Sequence, residues 1–428
     1  MSKRFTLYLG PAGSGKSTAL AQTFADMVRK NKCVMLAPTH YAVNNIMQKV
    51  LKLNKNIDTK LFQTFHSYFR IDYKSNLVIG PNTSSKDKEF IFIDEFFMLS
   101  RDLFARSVRT TNAKFILAGD PMQLGSPYND SNVLLSGSEL KSLEYWTDRE
   151  SQVPSLPCSW IVIKMVQSPY WSIKDSVEKH IFRTNFRARD DVALLLFALL
   201  GGGAFDETVG KLIKYHTSYD DIIRYLINND DAVLLASKYS ILQNIYDNYA
   251  AKSSIFTTHI HNKQTSKFFE GNKYFRDLYL YEGMSLIITE TAGDIYNGQE
   301  VIFEGYDEGT NTITCKDLSA KTITLHINNP DQEFFAIAPK QFMTIHKAQG
   351  MGFNKVVIMT NNLFEKSMLY TAITRARYEV SFYLGEGPYD YAAAKEPSDY
   401  KKNIWNTLLQ LFNADLLLEY AKKFEYIS

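Results

Sequence analysis

Short apolar runs alternate with longer amphipathic segments in the first third of the chain. The apolar runs that predict buried strands are residues 5–9, 33–37, 90–93 and 115–118. Between them, residues 16–29 and 40–51 place apolar side chains at helical spacing and predict amphipathic helices. Strands that alternate with helices are typical of βαβ units, so we expect a parallel sheet here.

The same alternation returns in the second half of the chain. Residues 125–160 come before it, and their many Ser, Pro, Asn and Asp residues predict a loop or linker. The elements predicted beyond the linker are a helix at 192–200, a strand at 232–236, a helix at 239–250, a strand at 356–360, a helix at 366–377 and a strand at 380–384. This order predicts a second α/β domain.

A series of short strands and turns interrupts the second domain at residues 256–339. Asn297-Gly298 and Glu308-Gly309 are dipeptides that favour tight turns. The strands predicted around them are 284–289, 299–306, 312–315 and 322–327. We therefore expect a small β-barrel inserted into the second α/β domain, followed by a C-terminal helix within residues 399–428.

Length and composition are those of a globular protein with two or three domains. The chain has 428 residues, 45% of them hydrophobic and 22% charged, which excludes a disordered tail protein, a collagen-like fibre and a coiled coil. The net charge is only +2, so a surface for nucleic acid must be a local patch. Three widely spaced cysteines exclude a disulfide framework and a Cys-rich zinc site.

The lengths of the apolar segments also indicate in which cellular compartment the protein is expected. The N-terminal apolar run is too short for a signal peptide. The most apolar stretch, residues 192–205, is far shorter than the about 20 residues that span a bilayer. We expect a protein with no membrane partner in the cytoplasm of a prokaryote or a phage-infected host, with the nucleus left open.

A phosphate-binding motif stands between the first predicted strand and the first predicted helix. Residues 10–17 (GPAGSGKS) match G-x-x-x-x-G-K-[ST] in full. Its glycines let backbone N–H groups surround a phosphate, and the helix N-terminus adds the positive end of its dipole. Lys16 is expected to place its charge on the β- and γ-phosphates, and Ser17 to bind Mg²⁺. The predicted nucleotide-binding residues are Gly10, Pro11, Ala12, Gly13, Ser14, Gly15, Lys16, Ser17 and Thr18.

Polar residues follow the next two buried strands. Asp94 comes directly after strand 90–93 and is expected to hold Mg²⁺, while Glu95 would polarise the attacking water as a general base. Gln123, in the segment 119–124 (GDPMQL), would bond both a γ-phosphate oxygen and that water. Ligands of open α/β sheets bind at the carboxyl ends of the strands, which favours a shared site.

Taken in order, these motifs resemble those of the superfamily 1 helicases. The segments that extend the resemblance are 36–39 (LAPT, motif Ia), 64–66 (TFH, motif Ib), 182–187 (FRTNFR, motif IV), 344–353 (TIHKAQGMGF, motif V) and 369–377 (LYTAITRAR, motif VI). The H-K-x-Q-G and G-D-x-x-Q-L forms are similar to the Dda- and RecD-like (Pif/RecD/Dda) branch, superfamily 1B. The resemblance implies two RecA-like P-loop domains in tandem, residues 1–150 and residues 151–255 with 340–398, and an SH3-like barrel at 256–339.

The resemblance further implies a function and the residues that serve it. The implied activity is ATP-dependent, Mg²⁺-requiring 5′-to-3′ movement on single-stranded DNA in replication, recombination or repair. Arg187 and Arg375, both assigned to the second domain, would bring positive charge to the γ-phosphate, and Gln349 and Gly350 would contact the nucleotide. The implied DNA contacts are Pro38, Thr39, Thr64, His66, Thr344, His346 and Lys347. The implied partners of this monomeric motor are single-stranded DNA, forked or tailed duplexes, and replication or recombination proteins.

Two further features bear on the resemblance. Residues 67–88 predict a short hairpin at the place where the family carries a strand-splitting pin. The family often has a glutamine upstream of the P-loop that reads the adenine base. None occurs among the nine residues before Gly10, so base selectivity stays open.

Two other functions stay open at this point. The first keeps the motor but makes the track RNA, as in viral superfamily 1 enzymes; the H-K-x-Q-G form opposes it by resemblance only. The second is a catalytically silent P-loop subunit that binds nucleic acid. Intact Lys16, Asp94, Glu95, Gln123 and Arg375 oppose that reading, because a silent site has no physical need for all of them.

Overall fold

The chain folds into two compact units whose boundary lies between Arg187 and Ala188. The structure is a computed structural model. It describes residues 4–29, 32–72, 77–81, 87–120, 123–124, 177–182, 184, 186–200, 205–261, 275–289, 295–326, 337–360, 366–383 and 397–412. Each unit is built on its own parallel sheet.

The sheet of the first unit has six strands. They are β1 (Phe5–Leu9), β2 (Cys33–Ala37), β3 (Phe62–Thr64), β4 (Phe90–Ile93), β5 (Lys114–Gly119) and β6 (Val177–Ile181), in the order β3–β2–β4–β5–β1–β6. All neighbouring pairs are parallel. Every residue of β2 is buried, as expected for a strand covered by helices on both faces.

Helices cover both faces of this first sheet. They are α1 (Lys16–Met27), α2 (His40–Leu53), α3 (Phe65–Phe69) and α4 (Arg101–Arg109). Ile91 and Ile93 of β4 pack into a different apolar core from Phe92, because alternate side chains of a strand point to opposite faces. Phe24 of α1 and Ile46 of α2 join the core of Phe92.

The second unit contains a five-stranded parallel sheet. Its strands are β7 (Lys214–Tyr215), β8 (Ala232–Ala236), β16 (Phe342–Thr344), β17 (Phe353–Met359) and β18 (Ala376–Tyr383), in the order β16–β8–β17–β18–β7. Its helices are α5 (Asp190–Leu200), α6 (Glu207–Leu212), α7 (Tyr219–Ile227), α8 (Tyr239–Lys252), α9 (Ile345–Ala348), α10 (Lys366–Ile373) and α11 (Pro397–Phe412). Trp405 anchors α11, because its side chain is fully buried where α11 packs against α5, α6 and α10.

An antiparallel insert separates β8 and α8 from β16 along the chain. Its strands are β9 (Thr258–His261), β10 (Asp277–Leu280), β11 (Ser285–Ile288), β12 (Glu300–Asp307), β13 (Thr312–Asp317), β14 (Thr322–His326) and β15 (Ile337–Pro339). The first two form a pair, and the other five form a sheet in the order β14–β13–β12–β11–β15. This is the predicted β insert; its SH3-like character stays a prediction.

Three boundaries differ from the sequence-based expectation. The first unit extends past residue 150, because β6 adds a parallel edge strand next to β1. The helix predicted at 366–377 ends at Ile373, because β18 already begins at Ala376 and pairs with β17. The C-terminal helix begins at Pro397 and is described as far as Phe412.

Other predictions concern connecting segments. The linker predicted at 125–160 lies outside the described residues. Within the hairpin predicted at 67–88, the described residues form an antiparallel bridge between Ile71 and Val78, and the Gly80 N–H donates to the Phe69 carbonyl at 3.0 Å. In the described ranges no helix has the length and apolar character needed to cross a membrane.

Candidate active site

The phosphate-binding loop connects β1 to α1, and its glycines are required by its geometry. A Cβ on Gly10 would lie 2.5 Å from the Phe182 carbonyl oxygen and 2.6 Å from Ser14 Oγ, so no larger residue fits. Gly15 caps the helix with φ +90°, in the left-handed region that favours glycine. The loop therefore presents the N-terminus of α1 to the site, as an anion-binding loop must.

Lys16 is the first residue of α1, and its side chain turns back over the loop. Its Nζ donates to the Pro11 carbonyl at 2.7 Å and to Ser14 Oγ at 3.5 Å. Burial lowers the pKa of the Lys16 ammonium, while the nearby carboxylates of Asp120, Glu95 and Asp94 act in the opposite direction. The ammonium is thus held inside the phosphate-binding loop.

The acidic pair lies where β4 ends. The Asp94 N–H donates to the Leu36 carbonyl of β2, and Asp94 Oδ1 accepts from Ser17 Oγ at 3.0 Å. Burial first, and then the neighbouring Glu95 carboxylate, raises the pKa of Asp94 to about 6. Glu95 takes φ 51°, a left-handed conformation that is costly for a residue with a side chain and is found most often at functional sites.

Gln123 lies beside this acidic pair in the same unit. It is 4% exposed, and its Nε2 donates to Asp120 Oδ2 at 3.1 Å. Its Oε1 is buried and has no hydrogen-bond partner among the described residues. A buried acceptor left without a donor costs free energy, so this oxygen points to a ligand that donates a hydrogen bond to it.

Arg187 and Phe186 approach the loop from the segment after β6. The Phe186 N–H donates to the Gly13 carbonyl at 2.9 Å, which fixes this segment against the phosphate-binding loop. Arg187 is half-buried, and its charge lowers the pKa of Lys16. The structure therefore corrects the assignment of Arg187 to the second domain: it belongs to the first unit.

These side chains line one cavity of about 920 Å³. Its lining residues from the predicted site are Ala12, Gly13, Ser14, Gly15, Lys16, Ser17, Thr18, Asp94, Glu95, Gln123 and Arg187. The cavity thus unites residues from 12 to 187 that the sequence places in four separate motifs. Ser17 and Asp94 offer a hydroxyl and a carboxylate oxygen, the hard donors that Mg²⁺ prefers.

Lys49 and Phe186 are among the lining residues of this cavity that the sequence-based site does not include. Lys49 reaches it from α2, and its charge opposes the rise in the pKa of Asp94. The Phe186 ring is 75% exposed and would lie 3.6 Å from a Cβ on Gly15. Helical spacing of apolar residues in α2 could have shown that Lys49 lies off the buried face, but no sequence signal places it at the site.

Arg375, the other predicted arginine, lies in the interior of the second unit. It is 1% exposed, and its guanidinium donates to the Thr371 carbonyl at 3.0 Å, the Met351 carbonyl at 2.9 Å and Thr374 Oγ1 at 3.0 Å. These bonds join α10 to the segment after α9. In this structure Arg375 is therefore a buried packing residue, and a catalytic role for it stays a prediction.

The predicted DNA contacts of the first unit lie at the carboxyl ends of β2 and β3. Thr39 caps α2 by accepting from the Ala42 N–H at 3.2 Å, and Pro38 precedes it. Thr64 caps α3 by accepting from the Ser67 N–H at 3.2 Å. His66 is half-buried, and burial lowers its pKa. Both helix starts thus lie at one edge of the sheet, since β2 and β3 are parallel neighbours.

The second unit repeats this arrangement at the end of β16. Thr344 caps the short helix α9, accepting from the Lys347 N–H at 3.4 Å. His346 and Lys347 are half-buried on that helix. Gln349, which ends α9, is 7% exposed, and Gly350 follows it with φ +82°. The DNA and nucleotide contacts assigned to these residues stay predictions.

Comparison with known sequences gives two family matches, one in each unit. Residues 1–129 match the AAA domain family, and residues 341–383 match the UvrD-like helicase C-terminal domain. The RecD subunit of the RecBCD enzyme from Buchnera aphidicola is 23% identical over 87% of this chain and 69% of its own length. The protein MJ1519 of Methanocaldococcus jannaschii is 22% identical over 100% of this chain but only 40% of its own length.

Known structures share the fold along almost the whole chain. A structure of two coordinating Pif1 helicases at forked dsDNA matches with a TM-score of 0.57 at 17% identity, over 93% of both chains. The chain is similar in sequence to the RecD subunit and in fold to Pif1 helicases. A second Pif1/RecD-like structure, the Bacteroides Pif1 helicase in complex with ADP-AlF3 and ssDNA, matches with a TM-score of 0.56 at 18% identity, over 88% of both chains.

The two family matches cover different elements and different predicted site residues. The AAA match covers β1 to β5 and so includes Lys16, Asp94, Glu95 and Gln123. The UvrD-like match covers β16 to β18 and so includes α9 and Arg375. The residues after β6, including Phe186 and Arg187, lie outside both matches.

Proposed function

We propose that this protein is an ATP-dependent DNA helicase that moves 5′ to 3′ on single-stranded DNA and serves replication, recombination or repair. One observation carries the proposal: Lys16, Asp94, Glu95, Gln123 and Arg187 line a single cavity above the phosphate-binding loop. This set supplies each part that phosphoryl transfer to water requires, namely cations for the phosphates, oxygens for Mg²⁺ and a base for the water.

The binding part of the site would hold the nucleotide by its phosphates. Backbone N–H groups of the loop and the N-terminus of α1 surround the β-phosphate, and Lys16 exchanges its Pro11 carbonyl for phosphate oxygens. Ser17 and Asp94 would hold Mg²⁺, which supplies charge neutralisation between the β- and γ-phosphates when it is bound.

The reacting part of the site would activate water. Glu95 accepts a proton from the attacking water, and the buried Gln123 Oε1 accepts a hydrogen bond from the other O–H of that water and fixes its direction. The water oxygen bonds to the γ-phosphorus while the bond to the ADP oxygen breaks, giving ADP and phosphate. Lys16 and Arg187 stabilise the charge that develops on the γ-phosphoryl oxygens.

The proposed phosphate contacts are the helix starts that follow β2 and β3 in the first unit and the helix start that follows β16 in the second. Each offers a threonine cap and backbone N–H groups, which bind phosphates without reading the base sequence. The matched Pif1 helicases include one bound to ssDNA and one described at forked dsDNA, which supports DNA as the polymer.

The short hairpin of the first unit is proposed as the duplex-separating element. Leu77 and Ile79 are each 57% exposed on one face of its second strand, while Ile71 packs into the core and Val78 packs against it. Exposed apolar side chains near the bound strand can pack against the last base pair of the duplex and replace the stacking contact that this pair loses when the strands separate. The hairpin is short, so its role is confined to the point of strand separation.

The proposal predicts hydrolysis that depends on single-stranded DNA. Steady-state ATP hydrolysis should rise strongly when poly-dT is added and should change little with poly-rU. Unwinding of a duplex should then require a 5′ rather than a 3′ single-stranded tail. Equal stimulation by poly-rU would favour the RNA motor, and no hydrolysis under any condition would favour the silent P-loop subunit.

We expect the Phe186 ring to stack on the base of the bound nucleotide. An exposed aromatic ring beside Gly15 gives the base a stacking surface, and stacking does not distinguish one base from another. Phe186→Ala should raise the KM for ATP about tenfold with little change in kcat, since stacking contributes about 1–3 kcal/mol per base. GTP, CTP and UTP should be affected to a similar degree.

The matched control for this prediction is Phe186→Tyr, which keeps the ring and should retain the wild-type KM. A KM unchanged in Phe186→Ala would remove the ring from the base site. A selective loss for ATP alone would show that adenine is read by other groups.

A further inference from the structure

A tight turn in the β insert contacts a lysine of helix α9, which follows strand β16 of the second parallel sheet. The turn spans Tyr296–Gln299, where the Gln299 N–H donates to the Tyr296 carbonyl at 3.0 Å and Gly298 takes φ +89°. The Gly298 N–H also donates to the Ile288 carbonyl at 2.8 Å, which ties the turn to the end of β11. The backbone of the turn is therefore held from both sides.

The Asn297 side chain leaves this turn and meets Lys347. Lys347 Nζ donates to Asn297 Oδ1 at 2.9 Å, across 50 residues of sequence. Lys347 belongs to the one-turn helix α9, which begins at the end of β16 and carries Thr344 as its cap. The bond therefore joins the insert to the helix start that precedes Gln349 and Gly350.

The turn itself does not require asparagine at this position. Asn297 is not among the residues with positive φ, so its backbone is one that alanine adopts without strain. The required special residue is Gly298, which takes the left-handed conformation. The conformation of the turn therefore does not explain the Asn297 side chain, which accepts a hydrogen bond from Lys347 Nζ.

We propose that Asn297 is a positioning residue that aims the Lys347 ammonium at a phosphate of the bound strand. A lysine side chain has four flexible bonds and loses rotamer entropy when it is fixed. A partner that fixes it before binding removes part of that cost. Because the Asn297 amide is neutral, it orients the ammonium without neutralising the charge that a phosphate attracts.

This inference rests on the proposed function, because it takes single-stranded DNA as the ligand of Lys347. It adds a role for the insert, because the turn of the insert orients the lysine through which the second unit would bind single-stranded DNA. It also predicts that the effect is confined to DNA binding, since Asn297 lies in the second unit and the nucleotide cavity is lined by residues of the first.

The test measures binding of a fluorescent oligo-dT to the full chain at several salt concentrations. Asn297→Ala and Lys347→Ala should each weaken binding about threefold to tenfold, and the double variant should be no weaker than Lys347→Ala. The salt dependence should fall by about one released ion in Lys347→Ala and by less than that in Asn297→Ala. The KM for ATP should not change in Asn297→Ala.

Two companion variants separate positioning from folding. Asn297→Asp keeps the shape of the side chain but pairs the ammonium with a carboxylate, so it should weaken DNA binding and lower the salt dependence. Thr310→Ala alters another exposed turn of the insert, where Thr310 Oγ1 donates to Asp307 at 2.8 Å, and should bind as the wild type does.

Each outcome decides the inference. Wild-type affinity in Asn297→Ala, or additive losses in the double variant, would overturn the positioning role while leaving the helicase function intact. A wild-type protein that does not bind oligo-dT would overturn both. Losses in Thr310→Ala equal to those in Asn297→Ala would reduce the effect to general stability of the insert.

Discussion

Lys16→Ala is expected to abolish ATP hydrolysis, with a loss in kcat of at least about 10²–10³-fold. The Lys16 ammonium is buried at the start of α1 and has the Pro11 carbonyl and Ser14 Oγ as its partners. When a nucleotide binds, the same charge would face the β- and γ-phosphates, whose negative charge grows as the bond to ADP breaks. An alanine removes this cation from the cavity, so part of the charge that develops on the phosphates loses its compensation.

The measurement is steady-state hydrolysis in the presence of saturating oligo-dT, with ATP varied. Lys52→Ala is the matched control, because Lys52 lies at the exposed end of α2 and does not line the cavity. It should retain wild-type turnover. Normal turnover in Lys16→Ala would show that residues 10–17 do not form the phosphate site.

Much of the nucleotide site could be predicted from sequence because its parts are local. A strand, a glycine-rich turn and a helix are consecutive in the chain, so a motif of eight residues specifies the loop. Asp94 and Gln123 follow buried strands, and the carboxyl ends of parallel strands meet at one edge of a sheet. The apolar runs of β2, β4 and β5 allowed these strands to be predicted from the sequence.

The domain boundary was harder to predict because it depends on pairing between distant strands. The sequence of β6 (VEKHI) has three consecutive polar residues between two apolar ones, so it lacks the apolar run that predicts a buried strand. Only its parallel pairing with β1 places it in the first sheet, and that pairing carries Phe186 and Arg187 to the loop. No local pattern contains this information.

Lys49 and Arg375 show the same limit at the level of side chains. Lys49 reaches the cavity because α2 packs against α1, a contact that the helical pattern does not specify. Arg375 stands within a recognisable motif, yet three oxygens of the second unit accept hydrogen bonds from its guanidinium. A motif identifies a residue type and a position in sequence, whereas the direction of the side chain depends on packing.

Arg187→Ala is expected to slow hydrolysis by about 10³–10⁵-fold, the range over which an arginine acts on phosphoryl transfer in comparable systems. Arg187 lines the cavity with Lys16, Asp94 and Glu95, so its guanidinium can reach the γ-phosphoryl oxygens without leaving the first unit. Its charge matters most when charge accumulates in the transition state. The affinity for ATP should therefore fall much less than kcat.

Single-turnover hydrolysis and binding of a fluorescent ATP analogue separate these two effects. Arg189→Ala is the matched control: Arg189 is exposed, belongs to the second unit and lies over the Tyr378 ring at 6.0 Å, so its loss should leave kcat unchanged.

Arg375→Ala tests the alternative that Arg375, and not Arg187, is the catalytic arginine. A large loss of kcat in that variant with an unchanged unfolding midpoint, together with normal turnover in Arg187→Ala, would transfer the catalytic arginine to the second unit. Retained kcat with a lowered unfolding midpoint would leave Arg375 as the packing residue that its three carbonyl and hydroxyl partners indicate.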